Sequence, residues 1–388
     1  MNRMRAILDQ RETRRSESPP SIFTSSPEPG TDCLQAHLDL VIPEVSRWRS
    51  FTYRCEYPDE VLEITGRLAY LSSPILESFN LEVTLQDLAG YECERNDIFQ
   101  EGALMLSCVH IDGIEPIICL PPLFNVTSLS LKEGAEQMDA EEFLFMLRSL
   151  QAIVSLEFDG TVVRPEDLYE LAVLGEGIKI ETLRCFSFSA DASPKYVVDG
   201  ILNTIQGPGL ESLTISNLDG FGGAQPMQMS STEPLPVPPF FNLRSLKLSG
   251  INCIEFVENF DFTHLPALNT ISLSRSKSPM ALLRFLLLFN GRDTVWPALH
   301  AIAISHLGSQ EFEELRQIIL HRQVFGKPIK VILFDPVSLK KFPEKLKWFK
   351  QHGVTVQRGE RVHYYTPLTQ FSLPTEAQTI PNRQLSDA

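Results

Sequence analysis

Basic side chains are scarce in this sequence. Lys and Arg number 34 against 49 Asp and Glu, a formal net charge of −15 over 388 residues. The deficit falls on residues 34–357, because residues 1–33 and 358–388 each hold as many acids as bases. A net-acidic body repels phosphate, which argues against general nucleic-acid binding and against docking on an anionic membrane. Long apolar runs are missing too. The most apolar window, Met280–Phe289, is interrupted by Arg284 and falls short of the roughly 18 residues that a spanning helix needs. The N-terminal stretch MNRMRAILDQRETRR has no apolar core of signal-peptide type. Seven scattered cysteines never form C-x-x-C. That usage fits reduced thiols in an intracellular protein, cytoplasmic or nuclear.

Catalytic signatures are also absent. None of the eight histidines lies in H-E-x-x-H or at zinc-finger spacing from a cysteine, and no G-x-S-x-G elbow occurs. Gly175-x-Gly177 with Lys179 lacks the spacing of a phosphate loop and reads as a helix end and turn. Gly220-x-Gly222-Gly223 is not followed by a helical pattern, so it is no dinucleotide fingerprint. Asp139, Glu141 and Glu142 together suit a helix N-terminus without a bound cation. The chain therefore reads as non-catalytic, with no cofactor and no metal.

What the sequence does have is a repeat. The pattern apolar-x-x-apolar-x-apolar recurs eleven times, at mean intervals of about 28 residues, near the leucine-rich-repeat period. It begins at Trp48-x-x-Phe51-x-Tyr53 and Leu76-x-x-Phe79-x-Leu81. It continues through starts at Leu106, Val126, Ile153, Ile180, Leu210, Leu243, Leu268 and Leu299, and ends at Ile329-x-x-Ile332-x-Phe334. The last two apolar places of each copy are two residues apart, so both point to one side of a strand. One short strand cannot hide that side alone, whereas a parallel stack can. Between copies the spacing turns helical. Val61, Ile64, Leu68 and Leu71 share one face, as do Phe143, Met146, Leu147 and Leu150 behind the Asp139/Glu142 capping-box pair. Pro165 with Leu168, Leu171 and Leu174 gives a third stripe, Met280 with Leu283, Phe285, Leu286 and Phe289 a fourth, and Phe312 with Leu315, Ile318 and Ile319 a fifth. The expected fold is an α/β leucine-rich-repeat solenoid over 34–357, with a curved parallel sheet on the concave side and irregular helices and loops on the convex side. Residues 1–33 are expected to be a disordered segment and 358–388 a flexible tail. The Gly/Pro/Met-rich stretch 219–241 is expected to be a long loop, either simply solvated or acting as a lid or partner-binding loop.

The residues between the buried places indicate the working face. Third places read Ser50, Ser78, Cys108, Ser128, Ser155, Thr182, Ser212, Ser245, Thr270, Ala301 and Val331. Eight of the eleven are Ser or Thr, which suits either crowding between parallel strands or a hydroxyl-lined groove for a peptide or protein. Fifth places vary, from Thr52, Asn80 and His110 to Glu157, Arg184 and Lys247. Glu157, Arg184 and Lys247 are the candidate contacts to a protein target on the concave face. Two charged stretches, net −8 over 131–177 and net +6 over 322–350, are either solvated faces or an oriented partner surface.

A family resemblance follows from particular segments. His37-Leu38-Asp39-Leu40 with Arg47-Trp48-Arg49-Ser50-Phe51 resembles the segment after the F-box in F-box-like leucine-rich-repeat proteins, a large fungal group. Ser73-Pro74-Ile75-Leu76-Glu77-Ser78-Phe79 resembles the next repeat start, and Leu265-Pro266-Ala267-Leu268 and Trp296-Pro297-Ala298-Leu299 resemble later entries. The resemblance implies a substrate-recruiting arm of a ubiquitin ligase, whose F-box docks a Skp-type adaptor while the repeats hold the target. Residues 1–33 contain no leucine–proline helical box, only an Arg/Ser/Pro-rich stretch. The alternative expectation is a free-standing recognition or regulatory repeat protein with no ubiquitin link.

Overall fold

The computed structural model describes residues 21–25, 31–55, 58–83, 97–114, 119–134, 137–174, 177–189, 195–217, 240–254, 256, 265–288, 295–305, 308–341 and 343–359. Its strands in chain order are β1 (Ser21–Ser25), β2 (Ser50–Cys55), β3 (Ser78–Val83), β4 (Cys108–Asp112), β5 (Ser128–Lys132), β6 (Ser155–Asp159), β7 (Ile178–Lys179), β8 (Cys185–Ser189), β9 (Ile205–Gln206), β10 (Ser212–Ser216), β11 (Ser245–Ser249), β12 (Thr270–Ser274), β13 (Ala301–Ile304), β14 (Val331–Phe334) and β15 (Thr355–Arg358). Thirteen of them form one open parallel sheet that follows chain order, while β7 and β9 pair with each other apart from it. The result is an α/β, solenoid-like arrangement. The eleven repeat copies supply β2–β6, β8 and β10–β14. The sheet gains β1 before them and β15 after them, so it runs from ahead of residue 34 to just past 357.

Register explains the cohesion. Phe51, Phe79, Val109, Leu129, Leu156, Phe186, Leu213, Leu246, Ile271, Ile302 and Ile332 lie side by side as one buried row across the sheet. Tyr53, Leu81, Ile111, Leu131, Phe158, Phe188, Ile215, Leu248, Leu273, Ile304 and Phe334 form a second. Each such side chain is worth roughly 1.5–3 kcal/mol over exposure, and each is buried only because the next strand lies beside it.

The helices cover this apolar side. They are α1 (Thr31–Val41), a 3-10 helix (Ile42–Arg47), α2 (Pro58–Leu68), α3 (Ala140–Ser149), α4 (Pro165–Leu174), α5 (Lys195–Thr204), α6 (Pro279–Leu288), α7 (Ser309–Val324), α8 (Pro336–Lys341) and α9 (Pro343–Gln351). Their buried stripes, such as Val61, Ile64 and Leu68 or Phe312, Leu315, Ile318 and Ile319, belong to one core that extends from Leu34 to Val354. The side chains of Phe285 and Leu286 lie outside the described residues, as does Phe289. Helix α3 opens with the capping box foreseen from its sequence. The Glu142 backbone N–H donates to Asp139 Oδ1 at 2.9 Å, and the Asp139 N–H donates to Glu142 Oε2 at 3.0 Å.

Two backbone devices set a strand, the first of them in nine of the eleven repeats. Just before it, the first apolar place closes a tight turn by donating three residues back: Leu106 to Ala103 (3.1 Å), Val126 to Leu123 (3.0 Å), Leu243 to Phe240 (3.1 Å). Next to it, one carbonyl accepts two N–H groups of the following repeat. Glu77 and Ser78 both donate to Arg49 O, Ser107 and Cys108 to Glu77 O, and so on as far as Lys330 and Val331 on His300 O. At the strand exit the chain turns through left-handed backbone at Gly113 (φ 77°), Gly160 (φ 85°), Asn217 (φ 57°), Gly250 (φ 61°) and Arg275 (φ 52°). Glycine and asparagine hold four of these five turns because the conformation penalises other side chains. Asn217 also donates its amide to Ser189 Oγ at 3.1 Å.

The sixth copy sits differently from its sequence assignment. Its strand is Leu183-x-x-Phe186-x-Phe188, with Cys185 in the third place and Ser187 in the fifth. Ile180 is the turn residue that accepts from Leu183 N–H at 3.3 Å. Because the turn position is itself buried and apolar, the six-residue template fits this stretch at two offsets three residues apart. Of the 219–241 stretch, all but Phe240 and Phe241 lies outside the described residues, as do Gly175 and the Gly220–Gly223 cluster.

The C-terminal repeats are tied by Arg322, 2% exposed at the end of α7. Its guanidinium donates to the carbonyls of Val295 (3.2 Å), Trp296 (3.1 Å), Leu299 (3.1 Å) and Lys327 (3.1 Å). Replacing Arg322 by Met should destabilise the chain by about 2–4 kcal/mol, because buried carbonyls lose their donors. Arg322→Lys should recover little of this, since an ammonium lacks the planar fork; urea unfolding of the three proteins checks it. A second pair tests the strand register. Leu246→Asp places an unpaired charge at a fully buried site and should cost about 4 kcal/mol or more. Ser245→Asp, next to it on the half-buried side, should cost less than about 1 kcal/mol. Equal unfolding midpoints for the two variants would contradict the register.

Candidate functional site

The face opposite the helices carries the residues between the buried rows. Third places, corrected for the sixth copy, run Ser50, Ser78, Cys108, Ser128, Ser155, Cys185, Ser212, Ser245, Thr270, Ala301 and Val331. Those of β2–β12 are half-buried apart from Cys108, which is exposed. Strand alternation puts the seventh place on the same face. That column, which lay beyond the two places read from the sequence, is charged from Arg54 through Glu82, Asp112 and Lys132 to Asp159. It then turns to Ser189, Ser216, Ser249, Ser274 and Ser305, of which Ser189 and Ser249 are buried, and ends at Asp335, which accepts from the first turn of α8. Extending the alternation by two residues would have revealed it.

Of the three candidate residues, the face brings together two. Glu157 and Lys247 both occupy fifth places, on β6 and β11, with Ser187 and Thr214 between them. Arg184 does not join them. It precedes β8, at the rim where strands begin, and its Nη1 donates to the carbonyls of Glu181 (2.9 Å), Leu183 (3.3 Å) and Gly209 (3.2 Å). Its Nε lies 3.9 Å from Glu211, which is also 3.9 Å from Arg244. Arg184 thus pins a turn and belongs to a rim ladder of alternating charge. Its expected concave-face place is taken by Ser187.

The electrostatics of the face differ along its length. Over the first strands charges pair within the protein: Arg54 Nε donates to Glu82 at 2.7 Å, and Lys132 Nζ to Asp112 at 2.7 Å. The Arg54 and Asn80 side chains hold the Glu82 carboxyl below its ordinary range against the opposing effect of burial. Burial pushes the His110 imidazole down, helped by the Lys132 ammonium. Glu157 is different. Burial at the sheet surface, then the neighbouring Asp159 carboxylate, push its carboxyl up, while the Ser130 hydroxyl and the Lys132 and Lys247 ammonium groups oppose this. Burial pushes the Lys247 ammonium down, against the pull of Glu157. Neither Glu157 nor Lys247 has an ion-pair partner among the described residues.

The face offers hydrogen bonding and charge. No group of three or more His, Cys, Asp or Glu able to hold a metal occurs among the described residues, and the Asp139 cluster is engaged in capping α3. No described helix is long and apolar enough to cross a membrane. No protein-family model matches the chain, and a search of curated proteins finds no match either.

Cys55, Cys108, Cys119, Cys185 and Cys253 form no disulfide, and their settings differ. Burial pushes Cys253 up to about 12 and raises Cys55 further, with Glu60 and Cys119 adding to the latter. Cys108 and Cys185 lie on the open face and are raised by partial burial. Thiolate is the reactive form. A thiol whose folded pKa is raised stays protonated through the pH range where the unfolded one ionises. Alkylation at pH 8–9 should therefore label Cys108 and Cys185 first and reach Cys55 and Cys253 only on unfolding, as peptide mass mapping would record.

Proposed function

We propose that the chain is a leucine-rich-repeat solenoid acting as a non-catalytic scaffold that holds a protein target on its open sheet face. The observation that carries this reading is the asymmetry of the sheet. Parallel sheets are ordinarily covered on both faces. Here one face is covered by helices and loops, while the other, among the described residues, shows half-buried hydroxyls together with the Glu157 and Asp159 carboxylates. A broad, continuous surface of this kind is what stacked repeats offer to a protein partner. The segments around α1 and β2 that resemble F-box-like repeat proteins extend the reading to a substrate receptor of a ubiquitin ligase. Without an adaptor, the same face would serve a free-standing recognition protein.

Two experiments test these readings. The purified chain and a Ser187→Arg/Thr214→Arg variant, which fills the floor of the face, are used as bait, with Glu141→Arg, on the exposed side of helix α3, as control. Proteins retained by the parent and the control but lost by the floor variant, at unchanged Tm, support the face as the binding surface. Equal retention by all three overturns it. Mixing the chain with a purified Skp-type adaptor and weighing the product by light scattering decides between receptor and free-standing scaffold. A stoichiometric complex favours the first, and separate species favour the second.

A further inference from the structure

The open face holds one pair of opposite charges, Glu157 and Lys247, that feel each other at a distance but make no direct ion-pair contact among the described residues. Glu157 and Lys247 stand in the same column, separated by β8 and β10, whose residues there are Ser187 and Thr214. Three strand spacings put their backbones about 14 Å apart. Toward the start of this face Arg54 is matched by Glu82 and Lys132 by Asp112. Between the unmatched pair the floor is small and uncharged: Ser155, Cys185, Ser212 and Ser245 on one side, Ser189, Ser216 and Ser249 on the other.

Resting on the function proposed above, we propose that this part of the face takes an extended polypeptide segment of the partner, crossing β6, β8, β10 and β11, with a basic side chain against Glu157 and an acidic one against Lys247. The spacing follows from geometry. An extended chain rises about 3.3 Å per residue, so 14 Å corresponds to about four residues. Four is an even number, so both charged side chains of such a segment point toward the sheet. The residue midway between them also faces down, over Ser187 and Thr214, where small side chains leave room. Asp159 lies two residues along the same strand from Glu157 and is exposed on the same face. It strengthens the cationic end of the site and favours an arginine able to bridge two carboxylates. Partial burial of Glu157 and Lys247 raises the cost of keeping each charged, and a partner's opposite charges offset that cost. The acidity around Glu157 excludes a phosphate backbone as occupant.

The test uses the full chain and labelled peptides built of glycine, serine and one central valine, read by fluorescence anisotropy. One peptide carries Arg and Glu four residues apart, a second carries them adjacent, a third has two Arg four apart and a fourth two Glu four apart. The parent should prefer the first by about tenfold or more, equivalent to about 1.4 kcal/mol. Glu157→Lys should shift the preference to the two-Glu peptide, and Lys247→Glu to the two-Arg peptide. Glu157→Gln and Lys247→Met, with Tm measured alongside, should lose the preference without reversing it, which separates recognition from misfolding. Binding that ignores the charge pattern, or a preference that the variants leave unchanged, overturns this inference. If floor-dependent retention of a protein partner persists in that event, the scaffold reading stands alone; if it too is absent, both fall.

Discussion

Everything in this molecule depends on strands too short to bury their own apolar side. Five residues such as Ser245–Ser249 present only Leu246 and Leu248 inward, and two side chains do not make a core. The two rows that run across the sheet are therefore collective objects. Phe79 is buried because Phe51 and Val109 flank it, and Ile302 because Ile271 and Ile332 do. Aromatic contacts reinforce the rows at several points. Trp48, Phe51, Phe79 and Phe99 pack in sequence at ring separations of 5.4, 5.5 and 6.0 Å near the first repeats, and Phe312, Phe349 and Phe334 pack at 4.8 and 5.8 Å near the last. Such pairs add roughly 0.5–1.5 kcal/mol each beyond area burial.

The parts of the fold legible in the sequence were those where one period dominates. Ten of the eleven strands lie at their expected register, most of them because a two-residue alternation flanked by polar residues has only one fit; β13 (AIAI) and β14 (VILF) lack that alternation and follow the repeat interval instead. The sixth failed because Ile180, Leu183 and Phe186 are all apolar at intervals of three, and backbone hydrogen bonding alone decides which of them opens the strand. Helix α3 was readable from Asp139 and Glu142. Helix α5 was missed although Val198, Ile201, Leu202 and Ile205 fall at helical spacing and are buried, because the repeat pattern claimed the flanking residues. Short helices α8 and α9 were not read from the sequence, because their few apolar residues, such as Leu339 or Leu346 and Phe349, are interleaved with lysines. For the face, Glu157 and Lys247 were within reach of a strand count. Arg184 was not, because the three-residue shift in the sixth copy moves it from the fifth place on the sheet surface to the second place at the rim.

Charge is distributed by a simple division of labour. Where opposite charges sit on adjacent strands, as with Arg54 and Glu82, they pair and hold the register of the face. Where small residues intervene, as between Glu157 and Lys247, they stay apart and available to solvent or to another chain. The rim repeats this logic with Arg184, Glu211 and Arg244, but there the arginine also satisfies backbone carbonyls. A single residue type thus acts structurally at one height along the strand and is replaced by serine three residues later, where the surface is open.

The paired donation onto one carbonyl at each strand entry has an evolutionary corollary. Arg49, Glu77, Ser107, Thr127, Val154, Glu211, Asn269 and His300 all occupy that position, and they share neither charge, size nor polarity. The main chain performs the join at every one of them, with the Ser107 and Thr127 hydroxyls adding to it at two, so mutation can rewrite most of this border one residue at a time while neighbouring units remain in step. Drift in that line is therefore cheap. Lineages descended from a common ancestor should diverge there sooner than along the inward rows.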